Sequence, residues 1–248
     1  MQYQNILFAQ PAETATVTLQ FDNVAGDEDL SLDSGIYTNA LNEKFSISLL
    51  QYFISNIQFT GVDNKQYIVP QDSCYFFIQE DDSASQLCKV RVPVNEYKSV
   101  SFIAGIDSLR CISKINNRKG VLDPSATDMY WGWNSGYIFL KVEGISPAAP
   151  EDAAGLHKYR YHVGGGFGGY QFQTINNIKN IQLNIAANTV KLKPGGNAVI
   201  QIKADILKLF NGSTQVSIAK HPAIMFDAYS TAIANNYASM FSVATVKN

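Results

Sequence analysis

TVTLQF, residues 16–21, decides the fold. Val17, Leu19 and Phe21 fall on one side of an extended chain, and Thr16, Thr18 and Gln20 on the other. Successive strand side chains point to opposite faces, so this alternation marks a strand half in a core and half in solvent. The signature recurs at Val90, Val92 and Val94, at Val100, Phe102 and Ala104, and at Ile138, Leu140 and Val142. Ile181, Leu183 and Ile185 follow, then Val190 with Leu192 and Ile200 with Ile202. Such strands, closely spaced with Gly, Asn, Asp and Pro between them, predict an all-β domain, an antiparallel β-sandwich or barrel-like fold. Pro194-Gly195-Gly196-Asn197 reads as a hairpin turn. Helix is expected only near the C-terminus, in a turn or two at 205–210 and at 230–241. In the latter Ser230 can cap, and Ile233, Tyr237, Met240 and Phe241 form one stripe. Residues 22–43 and 146–156 read as long loops. No repeat or internal boundary divides the chain, so 15–248 reads as one domain behind a flexible segment, 1–14.

With 248 residues, 46% of them hydrophobic, the chain can bury a sizeable core. Only 16% are charged, and 13 Tyr and 14 Phe stand among many Asn, Ser, Thr and Gln. That composition suits periplasmic and surface proteins. A net charge of −2 with scattered Lys and Arg argues against nucleic acid as a partner, because phosphates need clustered cations. No apolar stretch is long enough for a membrane span. MQYQNILFAQ (1–10) lacks the basic and apolar regions of a signal peptide, so export implies a signal already removed. Cys74 and Cys88 lie symmetrically about Asp81 and can face each other across a hairpin. A cross-strand disulfide and buried free thiols are both open readings.

DMYWGWNSGY (128–137) holds both tryptophans, Trp131 and Trp133, with Met129 and Tyr137 as further candidates. At i and i+2 of a strand the two indoles share a face, giving a platform for a sugar, a cation site or a redox-active pair. The competing reading is an aromatic cluster sealing one end of the sandwich. YRYHVGGGFGGY (159–170) places His162 at the mouth of a glycine-rich loop. No amphipathic helix follows the glycines, so they are no dinucleotide fingerprint. Neutral imidazole suits copper or zinc, yet a lone His is more often structural, because tight metal sites need partner ligands. His157 comes five residues earlier and points to the opposite face of a shared strand. His221 precedes Met225 in a loop. Catalytic motifs are missing: no GxSxG, no HExxH and no P-loop. Asp81, Asp82, Asp107, Asp123 and Asp128 single out no carboxylate pair. A non-enzymatic protein is expected.

MYWGWNSGYIFLKVEG (129–144) resembles the signature of the MbnP-like copper-binding family, whose members are periplasmic or lipid-anchored. YFISNIQFTGVDNKQYIVP (52–70), FIAGIDSL (102–109), GVLDP (120–124), YHVGGGFGGY (161–170) and IANNYASMFSV (233–243) agree with it in order. The resemblance spans about residues 15–243 and points to a Bacteroidetes-type member. It implies an exported, non-catalytic protein of the periplasm or cell surface that binds copper. It also implies peripheral membrane attachment through a lost N-terminal lipid anchor. In some members a partner di-haem enzyme of the MauG type oxidises a Trp to kynurenine, and the product joins histidines in holding Cu(I). Carried over, Trp131 and Trp133 are the candidates for oxidation and His162 the candidate ligand, with His157 and His221 as the remaining imidazoles. The chain departs from the pattern in having few histidines: FSVATVKN (241–248) and residues 110–119 contain none. A surface glycan- or protein-binding module that keeps the fold without a metal site is the alternative.

Overall fold

The computed structural model describes residues 13–134, 136–165, 175–225 and 227–248. In chain order the strands are β1 (Thr14–Ala25), β2 (Glu28–Asp29), β3 (Tyr37–Thr38), β4 (Lys44–Phe45), β5 (Leu49–Gly61), β6 (Gln66–Ile68), β7 (Tyr75–Gln79), β8 (Leu87–Pro93) and β9 (Glu96–Ala104). There follow β10 (Tyr130–Trp131), β11 (Gly136–Ile145), β12 (Lys158–Gly165), β13 (Lys179–Asn184), β14 (Val190–Lys191), β15 (Asn197–Asp205), β16 (Ala223–Ile224) and β17 (Phe241–Lys247). The α-helices are short: α1 (Ser108–Cys111), α2 (Leu207–Phe210) and α3 (Ser230–Tyr237).

The strands form a sandwich. The smaller sheet runs β17-β15-β1-β2, with β8 also paired to β1. The larger runs β13-β9-β5-β11-β12-β16. The period-two positions meet between the sheets: Val17, Leu19, Phe21 and Ile200 from one, Ile54, Phe102, Leu140 and Tyr161 from the other. Phe21 packs edge-on to Phe102 and Phe241, at 5.6 and 6.1 Å between ring centroids.

The structure refines several sequence expectations and decides between the two open readings of the cysteines in favour of buried free thiols. The sandwich is not wholly antiparallel, because β1 pairs with β15 in parallel from Thr16 to Val24. The turn 194–197 is not a hairpin: β14 pairs with β9 and β15 with β1, so the turn carries the chain from one sheet to the other. Cys74 and Cys88 form no disulfide. Cys74 precedes β7, which pairs with β5, whereas Cys88 lies in β8, opposite Leu19 of β1. The symmetrical spacing about Asp81 is therefore a crossing between sheets. At the N-terminus, β1 already begins at Thr14, and residues 1–12 of the expected flexible segment lie outside the described residues.

A second, smaller core lies on the outer face of the large sheet. After β9 the chain makes an excursion through residues 105–134 and lays Ile106, Cys111, Leu122, Met129 and Trp131 over Phe53, Ile138 and Phe139. For this reason GYIFLKV at the start of β11 is buried on both faces and loses its alternation. Residues 230–241 divide into α3 and the start of β17. Ser230 does not cap α3; Asp227 accepts from the backbone N–H groups of Tyr229 and Ser230 instead.

Candidate functional site

β10, β11 and β12 lie side by side, with Tyr130 opposite Tyr137 and Tyr137 opposite Gly165. Leu140 and Val142 of β11 and Tyr161 and Val163 of β12 face the main core. The alternate residues therefore face outward, where Lys141 stands opposite His162 and Glu143 opposite Arg160. His162 Nε2 lies 2.7 Å from Glu143 Oε1, and the Lys141 ammonium bonds the Asp128 carboxylate. This polar ladder ties the tryptophan segment to the sheet.

His162 is the central group of the ladder. Burial is the leading cause that lowers its pKa, and Lys141 and Arg160 add to it, against the raising effect of the Glu143 hydrogen bond. The ring is therefore neutral at neutral pH. With the Nε2 proton directed to Glu143, Nδ1 carries the lone pair, which is the carboxylate–imidazole arrangement that orients metal-binding histidines. His162 lies within β12, which continues to Gly165, rather than at its end; the rest of the glycine-rich loop, 166–170, lies outside the described residues.

The two tryptophans are not a same-face pair. The chain turns at residues 132–134, where Asn134 N–H donates to Trp131 C=O. Trp131 is 5% exposed and belongs to the second core with Met129 and Tyr137, whereas Trp133 is 43% exposed. The aromatic platform expected from i, i+2 spacing is not formed. Arg118, which the sequence reading passed over, fixes this lobe. It is buried, donates to the carbonyls of Cys111 and Ser113 at 2.8 Å and to Tyr130 Oη at 2.7 Å, and stacks over Tyr137 at 5.0 Å. Glu143 and Lys141 were missed as well, although they stand in the quoted motif at the i, i+2 spacing of one strand face.

The MbnP family model matches residues 14–226, from the start of β1 past β16. The chain belongs to the MbnP family. A solved structure, MbnP from Methylosinus trichosporium, superposes with a TM-score of 0.55 over 87% of this chain and 82% of that one, at 14% identity. At that identity the likeness is one of fold. No curated protein matches the sequence.

On this MbnP scaffold the three histidines do not converge. His157 and His162 are five residues apart along extended chain, about 16 Å at 3.3 Å per residue. The His157 ring bonds Ala149 C=O through Nδ1 at 2.6 Å, and His221 stacks on Tyr229 at 3.8 Å. All three thiols are buried, and burial pushes the pKa of each upward, so they stay protonated. Met129 and Met240 are fully buried core residues. Among the described residues no three His, Cys, Asp or Glu groups converge to hold a metal. They do not gather into a three-histidine centre, and His162 is an imidazole oriented by a carboxylate.

Proposed function

We propose that this MbnP-family protein is a non-catalytic binding protein that takes up copper through one imidazole, His162, rather than through a histidine cluster. The supporting observation is the 2.7 Å His162–Glu143 contact in a ring kept neutral by burial. Imidazole nitrogen is a good copper ligand, and a carboxylate on the opposite ring nitrogen makes it a better one. Trp133, exposed in the adjoining turn, is the indole open to a MauG-type di-haem partner. Trp131 is enclosed. Residence in the periplasm or at the cell surface, with a lipid anchor ahead of this chain, completes the reading. Among the described residues no helix is long and apolar enough to cross a membrane.

A second reading, a binding module without metal, is favoured by one observation. Lys141 and Arg160 flank His162 on the same face and oppose a bound cation. An anaerobic Cu(I) competition titration against a chromogenic chelator decides between the two. The copper reading expects one equivalent withdrawn from the chelator. His162→Ala should abolish that withdrawal, while His157→Ala and His221→Ala should retain it. No withdrawal by the unaltered protein would leave the second reading.

A further inference from the structure

Three neighbouring depressions on the outer face of the large sheet share lining residues. One of about 490 Å³ lies over β5, β9 and β13, and one of about 430 Å³ adjoins it through Asn56. A third, also about 430 Å³, shares Tyr75 and Arg110 with the second. We propose that these adjoining depressions act as one groove that binds a neutral oligosaccharide, separate from His162 and independent of copper.

Side-chain chemistry carries the assignment. Gln58 and Gln182 both stand opposite Ser101, so an amide, a hydroxyl and a second amide form one row across three adjacent strands on the solvent face. Amides and hydroxyls both donate and accept, as sugar hydroxyls do. The next depression continues this polarity through Asn56 and Gln71, whose side-chain amides bond each other reciprocally at 3.2 Å. Asn56 is held there by an unusual backbone. It sits in the bulge of β5 between Ser55 and Gln58, at φ +53°, in the left-handed region that non-glycine residues seldom occupy. Bulges and such conformations concentrate where a side chain has been re-aimed for a site.

The charges in the groove cancel. Its lining holds two acids, Asp72 and Asp107, and two bases, Arg110 and Lys119. Arg110 is already engaged, to Asp72 at 2.9 Å and to Asn117 C=O at 3.0 Å, and Asp107 accepts from Tyr75 Oη at 2.6 Å. A lining balanced in charge, with Arg110, Asp72 and Asp107 already paired, recruits a neutral ligand rather than an anion. The apolar walls suit the C–H faces of sugar rings: Ile68 is 65% exposed and Leu109 79%. An extended peptide is the poorer fit. Peptides added to sheets bond to a free strand edge. Here the groove crosses β5 and β9, interior strands whose backbones are paired on both sides.

The test is calorimetric titration of the full chain with cello-, manno-, malto- and xylo-oligosaccharides, repeated on Gln58→Ala/Gln182→Ala and on Leu109→Ala. All three altered residues lie on the solvent face, and unchanged melting temperatures check that the fold is kept. At least one sugar should bind with a Kd at or below about 1 mM. The double variant should weaken that binding about tenfold or more, equivalent to about 1.4 kcal/mol. Failure of every sugar to bind would overturn the proposal, as would binding that neither variant changes. Binding of a polar decapeptide in place of all the sugars would overturn it in favour of a peptide groove.

Discussion

His162 and Glu143 meet diagonally across β12 and β11, Nε2 to Oε1 at 2.7 Å, while the residue directly opposite each is a cation: Lys141 faces His162 and Arg160 faces Glu143. The ring thus feels burial and two cations that disfavour its proton, against one carboxylate that favours it. A ring-proton NMR titration should place His162 below the ordinary 6.5, and Glu143→Gln should move it lower still. The sign for stability follows. A depressed folded pKa means that the unfolded chain takes up the proton first. The contribution is therefore complete above about pH 6.5 and is lost as pH falls through the folded value. A titration at or above 6.5 would show that the carboxylate, not burial, governs the ring.

The turn at 132–134 separates the two indoles into different environments, and fluorescence can read them apart. Trp131, in the second core, should emit to the blue and resist acrylamide, while Trp133 should emit to the red and be quenched. Trp133→Phe should remove most quenchable emission with little loss of stability. Trp131→Phe should remove the blue component and cost about 1–3 kcal/mol through the space left in a packed cluster. Equal quenching of the two single-tryptophan variants would contradict this placement.

Much of the sandwich was legible because its strands are half-buried. Residues 16–21, 100–104 and 181–184 alternate cleanly and lie within β1, β9 and β13, with Ile185 just past the end of the last. What escaped was pairing. Alternation is the same for parallel and antiparallel neighbours, so nothing local joins Thr16 to Asn197 across most of the chain length. The symmetry of Cys74 and Cys88 about Asp81 was equally uninformative, because a sequence does not say when a loop changes sheets. At the candidate site, period two put Trp131 and Trp133 on one face, but Gly132 and Asn134 are turn residues, and turn chemistry outweighed the strand pattern. Arg118 gave no sequence signal at all. A lone arginine in a polar stretch reads as surface, and only the excursion over the sheet encloses it.

Glu80 offers a pH-dependent test away from the site. It accepts from Asn23 Nδ2 at 2.8 Å, and Asn23 accepts in turn from Tyr52 Oη at 2.7 Å. Burial raises the Glu80 carboxyl from 4.5 to about 7; Asp29, Asp22 and Asp81 push the same way, and the Asn23 bond opposes them. The folded chain therefore keeps a proton that the unfolded chain releases, so stability falls as pH rises from about 4.5 through 7. Glu80→Gln keeps an acceptor for Asn23 and removes the titration. Its melting temperature should match the parent near pH 4.5 and exceed it at pH 8. A variant less stable at pH 8 would show that the charged carboxylate is the favoured form.

Gly164 sets β12 tightly against the backbone of β11, and its substitution tests the row that carries the tryptophan segment. A Cβ there would lie 2.0 Å from the carbonyl oxygen of Tyr137 and 2.9 Å from Cα of Ile138, both backbone atoms that no rotamer change can move aside. The contact sits at the register shift between Ile138 and Leu140, where the ladder is already irregular. Gly164→Ala must therefore push the strands apart, and overpacking of this kind costs about 1–3 kcal/mol. Urea unfolding should show a lower midpoint at unchanged slope, the mark of lost stability rather than altered compactness. Gly132→Ala is the control: a Cβ at Gly132 meets nothing within 4 Å, and its midpoint should hold. Because Tyr137 also pairs with Tyr130, the Gly164 variant should shift the buried Trp131 emission toward the red before global unfolding. Equal midpoints for both glycine variants would mean that β11 and β12 are not locked together at this row.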